Sequence, residues 1–182
     1  SATLVPLRPM ANQFPHDPIV PFRESEKEKK EQVAEMFDRI APAYDQINRV
    51  LSARVDVGWR KKAIRQLQKE APQYLLDVAT GTGDMAIMAA RMLKPQRIEG
   101  IDISQNMLDF GVKKIEKEGL SHIIHLQKGD SETINFPDNS FDAIMVAFGV
   151  RNFANLEKGL GEMLRVLKPG GRLMVLEFSK PR

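Results

Sequence analysis

Residues 76–84 read LDVATGTGD, and their types and spacing could do chemistry. Asp77 sits in an apolar run that breaks into Ala79-x-Gly81-x-Gly83, and a second acid, Asp84, follows at once. Small residues at alternate positions leave backbone bare for a ligand to lie against, and a helix starting here would offer unpaired N–H groups. Nineteen residues past Gly83, Gly100-Ile101-Asp102 places a carboxylate that can accept both hydroxyls of a ribose. Gly129-Asp130 supplies another, suited to an exocyclic adenine amine. The turn alone also satisfies Gly81-x-Gly83-x-x-Ala86, the dinucleotide fingerprint, so NAD is a rival at this level. The acids tilt the other way. Asp77 four residues before Gly81, Asp84 at the helix start, and Asp102 and Asp130 beyond would repel a doubly charged pyrophosphate and suit a cationic sulfonium nucleoside. The plainer alternatives are that Asp84 and Ser104 are helix N-caps and Asp130 a turn residue.

Elements must hold these acids together. From Tyr74 onward the pattern alternates between β and α, with strands expected near 74–79, 97–102, 123–128, 142–147 and 172–178. Helices are expected near 84–93, 104–118 and 156–167, the last with Leu156, Leu160, Met163, Leu164 and Leu167 on one stripe. Strands alternating with helices of this length predict right-handed βαβ units, an α/β Rossmann-like fold and a mostly parallel sheet. In such a sheet ligands bind at the carboxyl ends of the strands, where LDVATGTGD lies. His122 and His125 open the third strand at the opposite end, and His16 lies in a proline-rich stretch, so none is placed to act as a base.

Three sections follow from this pattern. Residues 1–25 hold five of the eleven prolines (Pro6, Pro9, Pro15, Pro18 and Pro21) and are expected to be an extended or disordered tail. Residues 26–72 read as helical: Val33, Met36, Phe37 and Ile40 share one face, Pro42 interrupts, and helices follow at Tyr44–Leu51 and Trp59–Lys69. Residues 73–182 are the cofactor-binding core. The last strand is strongly apolar, and such an edge invites pairing, so the native chain is expected to continue past Arg182.

Composition narrows the function. With no cysteine there are no disulfides, thiolate metal sites or Cys nucleophiles. No metal is expected. No export signal or membrane-spanning run is apparent, which makes the cytoplasm the expected compartment. A net charge of +3 is too mild to mark an obligate nucleic-acid binder. Positive charge gathers in Arg54, Arg60, Lys61, Lys62, Arg65 and Lys69, as either a solvated helix face or a contact for an anionic surface.

Beyond the generic turn, Arg165–Ser179, Phe148-Gly-Val-Arg-Asn152, and Tyr44-Asp-Gln-Ile-Asn48 followed by Leu51-Ser52 and Trp59 carry a more specific pattern. From about Lys27 to the C-terminus the chain resembles the C-methyltransferases of menaquinone and ubiquinone biosynthesis, which are class I S-adenosylmethionine-dependent enzymes. It departs from that family's usual residues at Ile47, Arg54, Asp56 and Ala147. The resemblance implies that Thr82, Asp102, Asp130 and Ser131 contact S-adenosylmethionine, beside the Asp77, Ala79, Gly81 and Gly83 of the turn. It also implies a prenylated quinol acceptor, methylated on a ring carbon, with further strands after this chain's last residue. Arg151 and Asn152 follow the fourth strand, where such enzymes place the acceptor; Arg151 could stabilise a phenolate and Asn152 orient the ring hydroxyl. Tyr44 and Asp45 could cap the site, Asp45 as a base. A prenyl tail requires access to a membrane, so peripheral contact with its inner face is expected through the basic helix. An apolar fifth strand could pair two copies into a homodimer.

Overall fold

The computed structural model describes residues 55–147 and 153–176. The expected tail, the first N-terminal helices, and the predicted positions Tyr44, Asp45, Arg151 and Asn152 lie outside the described residues. The described part opens with helix α1, Val55–Leu67, and a 3-10 turn, Gln68–Glu70. Then come β1 (Tyr74–Val78), α2 (Asp84–Leu93), β2 (Arg97–Asp102), α3 (Gln105–Lys117), β3 (Ile124–Lys128), β4 (Phe141–Ala147), α4 (Leu156–Val166) and β5 (Leu167–Leu176). The five strands form one sheet in the order β3-β2-β1-β4-β5, and every pairing is parallel. The chain therefore winds outward from β1 to β3, then crosses back to the far side of β1 with β4. Strand order reverses between β1 and β4, and the crevice at their carboxyl ends is where such sheets bind ligands.

Central strands explain their own sequences. Leu75, Leu76 and Val78 of β1 are fully buried because helices cover both faces of a parallel sheet. Alternation divides them: Leu75, with Ala143 and Met145 of β4, faces the core formed with α1 and α2, whereas Leu76 and Val78, with Ile144 and Val146, face the core beneath α4. On α2, Ala86, Ala89 and Ala90 are small enough to bring the helix close to the sheet. On α4, Gly159, Met163 and Val166 are buried, but Leu164 is 56% exposed. The expected leucine stripe is thus narrower than its spacing suggests: one residue past Met163, Leu164 is rotated by about 100° toward solvent.

One strand boundary also differs. The fifth strand begins at Leu167, five residues before the expected 172, and its pairing with β4 slips between Phe141↔Leu167 and Ala143↔Arg172. Lys168-Pro-Gly-Gly171 is therefore a bulge within the strand, with Gly170 at φ +78°. A Cβ on Gly171 would come 2.9 Å from the Asp142 carbonyl oxygen.

Asp142 fastens the amino end of the sheet. Its Oδ2 accepts the N–H groups of Gln73 and Tyr74, each at 2.9 Å, and Lys168 Nζ donates to its Oδ1 at 3.0 Å. Partial burial pushes its carboxyl up, but the Tyr74 N–H, Lys168 and the Gln73 N–H outweigh that and hold it below the usual carboxylate range. Its contribution is therefore complete above the unfolded value of about 4 and is lost as pH falls through the lower folded value. After discounting for solvent screening, Asp142→Ala is expected to cost about 1–2 kcal/mol at pH 7 and progressively less below pH ~4, read by denaturant unfolding at both pH values.

Candidate functional site

The turn after β1 is built from unusual backbone. Ala79 has φ +55°, Gly81 +60° and Gly83 +83°, and two of the three positions carry the residue that adopts this region at least cost. Thr80 N–H donates to the Ile101 carbonyl at 3.0 Å, which ties the turn to β2, and Gly83 N–H closes it on the Thr80 carbonyl at 3.0 Å. Asp102, at the end of β2 and 8% exposed, accepts the Gly81 N–H at 2.8 Å on Oδ2 and the Ser104 N–H at 2.9 Å on Oδ1. One carboxylate thus fixes both the turn and the start of α3, where Ser104 caps the helix by accepting the Met107 N–H at 3.3 Å.

Asp77 is placed differently from a residue lining an open crevice. It is 1% exposed, on the sheet face covered by α1 and α2, and the Thr80 hydroxyl donates to its Oδ2 at 2.7 Å. Burial pushes its carboxyl up to about 7, opposed by the Thr80 hydrogen bond and the Arg60 charge and reinforced by Asp102 and Asp84.

Asp84 is the first residue of α2 rather than its cap; Gly83 holds that position without a side-chain hydrogen bond. Its carboxylate faces two cations from distant helices. Lys114 Nζ of α3 donates to Oδ1 at 2.6 Å and also to Thr82 Oγ1 at 2.9 Å, while Arg60 Nη1 of α1 lies 3.7 Å from Oδ2. Asp84 is therefore engaged by the protein itself. Arg60, grouped by spacing with the basic cluster, turns inward, whereas Lys61, Lys62, Arg65 and Lys69 stay exposed. Thr82 is 4% exposed, and its hydroxyl is directed to Lys114.

Asp130 follows β3 and builds a turn. Its Oδ1 accepts the Glu132 N–H at 2.9 Å and its carbonyl accepts the Thr133 N–H at 3.1 Å, with Ser131 partly exposed between them. The segment that follows is fastened to α4. Glu162 Oε2 accepts the Ile134 N–H at 2.9 Å, and Arg165 donates to the carbonyls of Ile134 and Phe136 at 2.7 and 2.9 Å. Arg165 beside Glu162 holds that carboxyl below its usual range.

The fold thus brings Asp77, Ala79, Gly81, Thr82, Gly83, Asp102, Asp130 and Ser131 to the carboxyl ends of three adjacent strands. Spacing alone did not single out Thr80, Lys114, Arg60 or Gly111. Gly111 carried a signal: glycine inside a helix costs about 1 kcal/mol relative to alanine, so it needs a reason. The reason is close approach, since a Cβ there would lie 3.0 Å from the Thr82 carbonyl carbon and oxygen and 2.6 Å from Leu126 Cδ1. Partly exposed backbone at Gly81 and acids at the ends of three strands fit an adenosine-based cation. Among the described residues no group of His, Asp and Glu could hold a metal ion.

Comparison with known proteins gives the family of the chain. The model of the ubiE/COQ5 methyltransferase family matches residues 24–182. A demethylmenaquinone methyltransferase of Bacteroides fragilis is 52% identical over 168 residues, 92% of this chain and 68% of that protein. The ubiquinone/menaquinone biosynthesis C-methyltransferase UbiE of Geotalea daltonii is 48% identical, over 85% of this chain and 66% of its own length. The chain thus spans about two thirds of the length of these curated relatives. Among solved structures, a putative S-adenosyl-L-methionine-dependent methyltransferase from Methanococcus maripaludis superposes with a TM-score of 0.68 at 25% identity, covering 76% of this chain and 63% of its own. The [4+2]-cyclase SpnF superposes with a TM-score of 0.66 at 28% identity, covering 80% of this chain and 59% of its own, so this architecture also serves other chemistry.

Proposed function

This chain belongs to the ubiE/COQ5 methyltransferase family, and from that premise we propose that it methylates a ring carbon of a prenylated hydroquinone with S-adenosylmethionine as donor. The observation that carries the reading is the family match over residues 24–182, in which the acid-rich turn is only one part. Demethylmenaquinol is the acceptor to try first, because the relative at 52% identity is named for demethylmenaquinone.

Bound at the turn, S-adenosylmethionine supplies an electrophilic methyl group on positively charged sulfur. Asp102 would hold the ribose, and Asp130 and Ser131 would meet the adenine. The turn Ala79–Gly83 would face the amino-acid end, with the charge of buried Asp77 behind it. Thr82 would contribute backbone, because its side chain is buried with its hydroxyl oxygen accepting from Lys114. A hydroquinone hydroxyl loses its proton near the phenol value of about 10, so the acceptor end must favour the phenolate. We assign Arg151 to stabilise that charge, since a guanidinium is a poor base, and Asn152 to orient the ring. Asp45 is the candidate base and Tyr44 the cap.

Methyl-labelled S-adenosylmethionine with demethylmenaquinol should yield labelled naphthoquinol and leave RNA unlabelled. Labelled RNA would select the rival reading, a nucleic-acid methyltransferase. Because the chain spans about two thirds of its relatives, a second reading is a cofactor-holding unit that needs more chain for turnover. Binding of S-adenosylhomocysteine without methyl transfer would select it.

The prenyl tail keeps the acceptor at a bilayer. Among the described residues no helix is long and apolar enough to cross one. Helix α1 and the turn after it instead present Lys61, Lys62, Arg65 and Lys69 outward, with Trp59 41% exposed at the margin. Contact with anionic lipid is the role we assign this face. Reversing the charge of Lys61 and Lys62 should weaken binding to phosphatidylserine vesicles at low salt by at least about tenfold. Unchanged binding would reject the contact.

A further inference from the structure

We infer that Arg60 is a positioning residue for the cofactor turn: α1 holds its guanidinium against Asp84 at one end of that turn, on the sheet face that buries Asp77 at the other end, and so sets the charge the turn presents. Its effect on ligand binding rests on the cofactor reading above. Arg60 lies on the inward face of α1, one turn before Ile64, and its side chain is 13% exposed where Lys61 and Lys62 beside it are exposed. Shielding a guanidinium from water is unfavourable unless carboxylates face it. Its Nη1 stands 3.7 Å from Asp84 Oδ2.

The surroundings of Asp77 give this cation its weight. The Thr80 hydroxyl donates to it, and the charges of Arg60 on α1, Asp84 on α2 and Asp102 at the end of β2 act on it. Its strand neighbours in register, Gly100 on β2 and Met145 on β4, carry no charge. Lys114 of α3 is directed to Asp84 and Thr82. Of the charges that act on Asp77, Arg60 favours its ionised form and both carboxylates oppose it. Without Arg60, Asp77 takes up a proton at a higher pH, and the turn loses negative charge that would attract a sulfonium or ammonium group. Residues from before the sheet thereby tune a site built by the sheet.

Carbon-13 NMR of carboxyl-labelled aspartate in the full chain tests this, with Asp77→Asn assigning the resonance. In Arg60→Gln, which keeps length and hydrogen-bonding capacity, the Asp77 midpoint should rise by about one pH unit, and Arg60→Lys should restore most of the shift. An unmoved midpoint in a folded Arg60→Gln protein, judged by circular dichroism, overturns the inference. Calorimetry with S-adenosylhomocysteine provides the second readout. Arg60→Gln should bind several-fold more weakly than wild type at pH 7.5 and approach it at pH 8.5, and a ratio independent of pH overturns the coupling to binding. A shifted midpoint in proteins that bind no S-adenosylhomocysteine supports the charge relation and removes the cofactor reading instead.

Discussion

Replacing Asp77 by asparagine is expected to make the ligand-free protein more stable at pH 8 while depriving it of cofactor. The folded carboxyl titrates at about 7, pushed up chiefly by burial, against about 3.9 in an unfolded chain. Between those values the folded protein holds a proton that the unfolded chain has released. Stability from this group is therefore greatest below pH ~4, declines as pH rises, and reaches its full penalty above pH ~7. The gap between those two values sets a ceiling of about 4 kcal/mol. Asparagine escapes the charge penalty but brings a buried amide that needs partners, which leaves a net gain of about 1–3 kcal/mol. For a chain of this size that raises the melting temperature at pH 8 by about 3–10 °C. The gain should shrink steadily toward pH 4. Thermal melts across that range check the sign, and a variant that melts below wild type at pH 8 contradicts it. Affinity for S-adenosylhomocysteine should fall by about 10–100-fold, because the negative charge behind the turn that attracts the ligand's ammonium group is lost. The site therefore holds a carboxylate that the fold would be better off without.

Asp102→Ala should be damaging on both counts. It leaves the N–H groups of Gly81 and Ser104 without the acceptor they use now, and Ser104 is fully buried. Each such group costs about 1–3 kcal/mol, so unfolding free energy should drop by about 2–4 kcal/mol. The ribose would lose two hydrogen bonds to a charged acceptor, for at least about a hundredfold loss in affinity. Asp102→Asn should fall between, since only one of its atoms can accept. Calorimetry on both variants, with denaturant melts alongside, separates the two effects. An alanine variant that binds S-adenosylhomocysteine within threefold of wild type would remove Asp102 from the ribose.

Much of the scaffold was legible because its signals are local. The change of period at Tyr74 marks β1, and the helices expected at 84–93, 104–118 and 156–167 appear as Asp84–Leu93, Gln105–Lys117 and Leu156–Val166. Ser104 was readable as a cap from its place before an amphipathic run, and the structure gives it that role. The early start of β5 was not readable, since Pro169, Gly170 and Gly171 announce a loop where the chain forms a bulge and keeps pairing. Direction was harder than position. Arg60 belongs by spacing to a basic run, yet it turns inward because Asp84, 24 residues on, lies there. Lys114 reaches across 30 residues to Asp84, and no periodicity encodes that contact. The acids were visible in the sequence, but their counterions came only with the fold.

The fastening at Asp142 bears on how the chain is made. Tyr74 N–H and its acceptor are 68 residues apart. A ribosome adding about 5–20 residues each second takes about 3–14 seconds to cover that distance. Through that interval β1, whose Leu75, Leu76 and Val78 end fully buried, gains β2 on one side and keeps an open edge on the other. The strand at the centre of the finished sheet is thus an edge during synthesis. A slowly translated or stalled chain would present an apolar strand edge to its neighbours on a polysome until residue 142 and the strand around it emerge.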